Sequence, residues 1–209
     1  MIGCVEPRIL TDVHGCFIRH VHSVRSREVL IRVDPWFLSV STGERGDIFP
    51  PMKEQDEQFL REAIALSLAG MERGDGGPFG CVIVKDGQVV GRGNNRVTST
   101  NDPTAHAEIV AIREACKQLG DFQLAGCTLY TSCEPCPMCL GAIYWARPDR
   151  IVYAASRVDA AAAGFDDQLI YDELPLPAEQ RRFPMERLMA AEAQAAFEAW
   201  KVMEGKKKY

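Results

Sequence analysis

The sequence lacks an apolar run of membrane-spanning length and any excess of basic residues. A membrane-crossing helix needs about 20 predominantly apolar residues, and Glu6, Pro7 and Arg8 interrupt the apolar stretch that a signal peptide would require. An extended nucleic-acid surface would be basic, whereas the net charge here is −5 at pH 7. We therefore expect a cytoplasmic protein that binds neither membrane nor nucleic acid.

Histidine is scarce, with four residues, but cysteine is not, with eight. His14, His20 and His22 lie near the N-terminus, which leaves His106 as the one histidine of the remaining chain. In a reducing compartment, clustered cysteines favour a metal site over disulfide bonds. The 209 residues, of which 46% are hydrophobic, are enough for one domain with a core and an appendage.

The composition changes at residues 50–52, and we predict a domain boundary there. Residues 1–51 contain six arginines, no lysine and six acidic residues, without a regular pattern of core-forming positions. Their cysteines and histidines, beginning with Cys4, have a spacing that fits no zinc pattern. We expect residues 1–51 to be an N-terminal extension that is dispensable, disordered or the result of a mis-assigned start, and residues 52–209 to be the folded domain.

The most informative stretch is a cysteine-rich turn between a predicted strand and a predicted helix. Residues 127–131 are typical of a buried strand and residues 140–145 of a helix. Pro137 suits the first helical turn, where its missing N–H costs nothing. Cys136 and Cys139 are three apart, so both sulfurs can point the same way, and the positive end of the helix favours the metal-binding thiolate.

Two cysteines leave a zinc ion short of ligands, and His106 is the candidate for the third. Asp102 as the N-cap and Pro103 as the first helical residue would place His106 near the start of a second helix. Glu108 follows two residues later. Because residues two apart do not face each other on a helix, both can reach one ion only if it lies off the helix's N-terminal end. The sequence predicts two helix N-termini that converge.

The segments 106–108 and 135–139 resemble the H-x-E and P-C-x-x-C signature of zinc nucleobase deaminases. Three protein ligands leave a fourth position open for water, as catalytic zinc requires. Glu108 could then take a proton from that water and return it to the substrate.

A Cys-x-x-Cys pair alone is also typical of a structural zinc knuckle or a redox pair. Cys133 extends the pair to a run of three, which an iron–sulfur site would continue with a cysteine where this chain has Ile143. We predict that Cys133 lies at the end of the strand and points away from the ion.

The pattern downstream of Met52 predicts the fold. A helix that ends near Gly74 precedes a hairpin around Asp86 and Gly87, a dipeptide suited to tight two-residue turns. The His106 helix, the cysteine turn with its helix, and a strand over residues 150–155 follow. Their alternation predicts parallel strands covered on both faces, which is a three-layer α/β/α sandwich. The predicted buried stripe of the His106 helix is Ile109, Ile112, Cys116 and Leu119.

Residues 52–209 resemble the bacterial guanine deaminases of the cytidine deaminase superfamily. The matching segments are residues 77–80, 101–108, 130–148, 163–167 and 207–209. The resemblance implies a mixed five-stranded sheet, one zinc per chain on His106, Cys136 and Cys139, and Glu108 as the proton shuttle. The implied reaction converts guanine to xanthine and ammonia in purine catabolism or salvage.

The resemblance also implies how a small purine base binds. Asn95 would hold the purine, Phe79 would form part of an apolar pocket, Asp167 would accept hydrogen bonds from guanine N–H groups, and Tyr209 would close the site. The implied assembly is a homodimer that exchanges its C-terminal segment. Three of these residues also have a simpler interpretation, in which Asp167 caps a turn, Asn95 shapes a loop and Tyr209 is a frayed end.

Three alternative functions stay open on the sequence. A tRNA adenosine deaminase would share the zinc chemistry but needs a basic groove for its RNA, and a cytosine or other small-base deaminase would share the signature. A non-catalytic zinc-binding protein would explain the cysteines, but it would explain neither Glu108 nor the open coordination position.

Overall fold

The computed structural model describes residues 54–208, so the predicted extension over residues 1–51 and the predicted site residue Tyr209 lie outside the described residues. The elements are α1 (Glu54–Glu72), β1 (Gly80–Lys85), β2 (Gln88–Asn94), α2 (Val97–Thr100), α3 (Ala107–Leu119), β3 (Cys127–Cys133), α4 (Pro137–Ala146), β4 (Arg150–Ala155), α5 (Arg157–Ala162), α6 (Gln168–Glu173), a 3₁₀ turn (Ala178–Gln180) and α7 (Ala190–Val202).

The strands form one mixed sheet in the order β2-β1-β3-β4. The β1–β2 hairpin is confirmed, since Asp86 and Gly87 have φ angles of 51° and 76° and so form the predicted tight turn. The parallel pairing of β3 with β4 is confirmed as well. The expected fifth strand is absent from residues 54–208, because a capping box on Ser156 starts α5 directly after β4 and the chain continues as helices.

Helices cover both faces of the sheet, as predicted. Alternate residues of β1 point to opposite faces, so Val82 packs with Phe59 of α1 while Ile83 packs with the side of α3 and α4. Both strand residues are fully buried. Burial of an aliphatic side chain of this size contributes about 1.5–3 kcal/mol to folding, so each layer is held by its own apolar cluster.

Helix α3 packs closely on β2 because both surfaces consist of small residues. Its buried apolar positions are Ala107, Ala111 and Ala115. A Cβ atom built on Gly91 would lie 2.5 Å from the Ala111 carbonyl oxygen and 2.8 Å from the Ala115 Cβ, so the strand needs glycine there. The predicted buried stripe was only partly right. Ile112, Cys116 and Leu119 are partly buried and pack against the core cluster, but alanines form the fully buried contact, and Ile109 is only partly buried.

A buried ion pair joins the first turn of α1 to β3 and β4. Arg150 Nη2 donates to Asp56 Oδ2 at 2.9 Å, and the Tyr130 hydroxyl donates to Asp56 Oδ1 at 2.6 Å. Asp56 is only 4% exposed. A buried charge is tolerated only when it is paired and hydrogen-bonded, so this contact fixes where α1 lies on the sheet.

The chain beyond β4 packs differently from the rest. Helices α5, α6 and α7 contain no buried residue. Within residues 54–208, none of the helices combines the length and the apolar character that crossing a membrane requires.

Candidate active site

The side chains of His106, Cys136 and Cys139 converge at one point. His106 Nδ1 lies 3.6 Å from Cys136 Sγ and 3.5 Å from Cys139 Sγ, and the three ligand atoms all lie within 4.8 Å of one another. A tetrahedral zinc ion with usual bond lengths holds nitrogen and sulfur ligands about 3.6 Å apart. The spacing and the soft donor set therefore fit zinc, as predicted.

Two helix N-termini bring these side chains together. His106 and Cys136 occupy the N-cap positions of α3 and α4, with extended backbones (ψ 157° and 167°), and neither side chain caps its own helix. Pro137 is the first residue of α4, as predicted. Since the two N-cap side chains make no capping bond, both can turn towards a common ion.

The predicted start of α3 was wrong by several residues. Asp102 was expected to cap the helix and Pro103 to begin it, but α3 begins at Ala107. Asp102 Oδ1 instead accepts hydrogen bonds from the Thr104 backbone N–H at 2.8 Å and from its hydroxyl at 2.6 Å. This local turn competes with the helix for Asp102, and it leaves the N-cap position to His106.

The thiols of Cys136 and Cys139 interact strongly. The hydrogen bond from Cys139, followed in importance by the one from His106, lowers the pKa of the Cys136 thiol to about 4. The same contact with Cys136, together with burial, raises the pKa of the Cys139 thiol far above its usual value. The two sulfurs therefore disfavour a second negative charge, and a divalent cation would allow both to be thiolates.

Glu108 lies beside the three candidate metal ligands without being one of them. Its side chain is only 6% exposed, and Oε2 is 3.4 Å from Cys139 Sγ. Burial is the main reason that the pKa of this carboxyl is raised, and the negative charge of Cys136 raises it further. A buried carboxyl whose pKa is shifted towards neutrality is suited to both accept and donate a proton.

Cys133 lies at the end of β3, as predicted, and takes part in a different contact. Its Sγ donates to the Ser156 carbonyl oxygen at 3.6 Å. Burial raises the pKa of this thiol to about 11, which keeps it protonated. Cys133 is therefore engaged with the β4–α5 junction and does not belong to the group of metal-ligating side chains.

Asn95 and Phe79 are neighbours at the end of the β1–β2 hairpin nearest the metal site. The Asn95 backbone N–H donates to the Phe79 carbonyl oxygen at 3.0 Å. Asn95 is 6% exposed, and its Oδ1 accepts hydrogen bonds from the backbone N–H groups of Gly77 at 3.3 Å and Val97 at 3.2 Å. With its oxygen engaged, the carboxamide presents its NH₂ group as the donor.

Asp167 precedes α6, but it does not cap that helix. The Gln168 backbone N–H donates to Asp166 Oδ1 at 2.9 Å, and Asp167 makes no capping bond. Asp167 is half-buried, and burial, followed by the negative charge of Cys136, raises the pKa of its carboxyl. The residue that caps this turn is therefore Asp166 and not Asp167. The carboxylate of Asp167 is close enough to Cys136 for the two charges to interact.

The sequence did not single out two residues that shape the site. Phe165 packs edge-on against Phe79, with ring centroids 5.0 Å apart and an interplanar angle of 85°. Glu134 accepts a hydrogen bond from the Arg157 backbone N–H at 3.0 Å. Phe165 falls in an irregular segment without periodicity. Glu134 could have been found from the sequence, because it is a carboxylate that lies between Cys133 and Cys136 in the turn.

Comparison with known proteins gives a consistent result. Residues 53–155 match the family model of the cytidine and deoxycytidylate deaminase zinc-binding region. The chain is 57% identical to guanine deaminase of Bacillus subtilis (strain 168) over 153 residues, which are 73% of this chain and 98% of that protein. It is 38% identical to tRNA-specific adenosine deaminase of the same organism over 119 residues, which are 57% of this chain and 73% of that enzyme.

The X-ray structure of Bacillus subtilis guanine deaminase is also similar to this chain. Its TM-score is 0.72 at 56% sequence identity, and the match covers 76% of this chain and 99% of that chain. The fold, the His106–Cys136–Cys139 group and the similarity over nearly the whole length of this relative agree, and the resemblance predicted from the sequence is confirmed. The chain therefore belongs to the cytidine and deoxycytidylate deaminase family.

Proposed function

We propose that this protein catalyses the zinc-dependent hydrolytic deamination of guanine to xanthine and ammonia. The observation that carries the proposal is the placement of Glu108, with Oε2 3.4 Å from Cys139 Sγ, next to three converging metal-ligating side chains. The 57% identity to a guanine deaminase over 98% of its length supports guanine as the substrate.

His106, Cys136 and Cys139 would hold one zinc ion per chain, because their three donor atoms have the spacing of a tetrahedral site with one position left over. When bound, zinc supplies a Lewis acid that lowers the pKa of a coordinated water to about 7. Both cysteines must stay reduced to act as ligands, and this requirement supports our proposal of a cytoplasmic location.

Glu108 would carry the protons of the reaction. Its burial removes competing water, and its raised pKa places the carboxyl nearer to neutral pH than an exposed glutamate. Glu108 accepts a proton from the attacking water and gives it to the ring nitrogen beside C2 of guanine. Glu108 would then take the second proton of that water, now on the hydroxyl at C2, and pass it to the amine, so that the C2 carbonyl forms as the C–N bond breaks and ammonia leaves.

Asn95 and Phe79 would position the base. The NH₂ group of Asn95 is left to donate to purine acceptor atoms, because Gly77 and Val97 fix the opposite side of the carboxamide. The edge-to-face pair of Phe79 and Phe165 forms an apolar wall of the kind that a planar ring packs against.

Asp167 would read the identity of the base. An ionised carboxylate accepts hydrogen bonds only, so it pairs with the N–H groups on the Watson–Crick edge of guanine. Adenine presents an acceptor at its ring nitrogen there, and binding it would leave the half-buried carboxylate without a donor, at a cost of about 1–3 kcal/mol.

We propose a homodimer with an exchanged C-terminal segment on two observations. First, the chain beyond β4 leaves large apolar side chains exposed, and such a surface needs a partner; examples are Phe183 at 71%, Phe197 at 68% and Val202 at 82%. Second, Lys207 lies 4.6 Å from the Phe122 ring, near the C-terminal end of α3. His106 is at the opposite end of this helix, which is about 20 Å long.

The C-terminal segment, as described up to residue 208, therefore lies far from the metal site of its own chain. A tail that closes the site, with Tyr209 over the base, would have to come from a second copy. Light scattering of the full-length chain, and of a chain ending at residue 202, tests this proposal. A monomeric full-length protein would contradict it.

A substrate screen tests the proposed reaction. We expect ammonia release from guanine by the zinc-loaded enzyme, with adenine, cytosine, cytidine and a folded tRNA slower by at least about 100-fold, as expected for a site whose buried polar group is left unpaired. Preference for the tRNA would instead support the adenosine deaminase alternative, to whose Bacillus subtilis member the chain is 38% identical. Zinc binding without release of ammonia from any base would support a non-catalytic protein.

A further inference from the structure

The segment that carries Phe165 and Asp167 has few attachments to the rest of the domain. Neither α5 nor α6, which flank these residues, contains a buried residue. A segment without buried apolar side chains has low local stability unless specific contacts hold it. Within one chain, the position of Asp167 relative to the metal site therefore depends on the packing of Phe165 against Phe79 and on a small number of polar contacts.

Glu134 supplies two of these contacts from within the cysteine turn. Its backbone N–H donates to the Ala155 carbonyl oxygen at 2.8 Å, and its carboxylate accepts a hydrogen bond from the Arg157 backbone N–H at 3.0 Å. Glu134 is two residues before Cys136 in the chain. It therefore connects the turn that holds a metal ligand to both sides of the β4–α5 junction.

Arg157 continues the connection from α5 to α6. Its guanidinium carbon lies 4.6 Å from the centre of the Tyr171 ring, a distance at which a cation is attracted to the ring face. Tyr171 is four residues after Asp167, so it marks the helical turn next to the carboxylate. The positive charge of Arg157 also favours the ionised form of Asp167, against the opposing effect of burial on its pKa.

We propose that Glu134 and Arg157 are positioning residues that hold Phe165 and Asp167 beside the metal site and thereby set the affinity for the purine base. This inference rests on the proposed function, in which Asp167 recognises guanine. Neither residue touches the substrate in this account: Glu134 acts through the Arg157 amide, and Arg157 acts through Tyr171.

The test compares Glu134→Ala with Glu134→Gln in the zinc-loaded, full-length enzyme. Alanine removes the acceptor for the Arg157 amide, whereas the glutamine oxygen still accepts that bond. We expect Glu134→Ala to raise KM for guanine about 10-fold with a smaller change in kcat, and Glu134→Gln to stay within about 3-fold of the native KM.

The matched control is Asp149→Ala. Asp149 also accepts a hydrogen bond from a backbone N–H, that of Gly126 at 3.0 Å, but at the opposite end of β3 from the cysteine turn. We expect an unchanged KM in this variant. An unchanged KM in Glu134→Ala, or an equal rise in the alanine and glutamine variants, would overturn the positioning role.

Hydrogen exchange measured by mass spectrometry tests the same inference without the reaction. In Glu134→Ala, amides of residues 157–173 should exchange faster than in the native enzyme, while those of β1 should not change. If Glu134→Ala loses zinc or fails to fold, Arg157→Ala takes its place in both measurements. A native KM together with native exchange rates in Arg157→Ala would overturn the proposal. A native enzyme that does not deaminate guanine would refute the proposed function, and the exchange result would still decide the role of Glu134.

Discussion

Replacing Glu108 by glutamine is the most informative single change, because it keeps the shape of the side chain and removes its ability to exchange a proton. General acid–base catalysis contributes about 10²–10⁴-fold to a rate, so we expect kcat for guanine to fall by about that factor, equivalent to about 2.7–5.5 kcal/mol of activation free energy. Zinc should stay near one ion per chain, because His106, Cys136 and Cys139 are untouched.

The stability of this variant provides a second criterion. Burial raises the pKa of Glu108, which means that its surroundings disfavour the negative charge. In the zinc-free protein, the neutral amide should therefore fold as well as the native carboxyl, and Tm should be equal or higher. The assays are ammonia release, zinc content by mass spectrometry and thermal unfolding by circular dichroism.

Glu114→Gln is the matched control, because Glu114 is an exposed glutamate on the same helix and, among residues 54–208, its carboxylate bonds only to the Arg92 backbone N–H at 3.1 Å. It should keep native kcat. Native kcat in Glu108→Gln would refute the proton-carrying role, and loss of zinc from that variant would show that Glu108 acts as a ligand.

Three further predictions concern the metal site, the helix–sheet contact and the alkaline limit of stability. Cys136→Ala should abolish zinc binding, and a full complement of zinc in the purified variant would contradict the ligand assignment. Gly93→Ala should lower the free energy of unfolding in urea by about 1–3 kcal/mol, because the new Cβ would lie 2.7 Å from the Ala111 nitrogen, whereas Gly141→Ala, with open space around it, should not. Burial, followed by the Asp56 hydrogen bond, raises the pKa of Tyr130 to about 12, so stability should fall as pH rises from about 10 towards 12. Tyr130→Phe should make the free energy of unfolding fall less steeply over this pH range. An unchanged slope in the variant would show that Tyr130 does not cause the decline.

The sequence predicted that His106, Cys136 and Cys139 converge, because the placement of the two cysteines depends on local spacing. Cys136 and Cys139 are three residues apart with a proline between them, and this pattern places both sulfurs at the start of a helix without help from tertiary contacts. His106 followed by elimination among four histidines. The hairpin at Asp86 and Gly87 was equally local, because few other residues adopt two successive positive φ angles.

The errors arose where tertiary contacts or competing local bonds decide the outcome. Hydrophobic periodicity gives alanine little weight, so it could not reveal that Ala111 and Ala115 form the contact with Gly91. The side chain of Asp102 had a nearer partner in Thr104 than the start of a helix. The contacts of Glu134 and Phe165 join residues more than 20 positions apart in the chain, which no local pattern encodes.

The most direct test of the metal assignment is a crystal structure of the purified enzyme with anomalous data recorded on both sides of the zinc absorption edge. We predict one strong zinc peak per chain, bonded to the His106 nitrogen and to the sulfurs of Cys136 and Cys139, with the Glu108 carboxylate beside it and not among its protein ligands. A peak at other residues, or ligation by four protein side chains, would contradict the account.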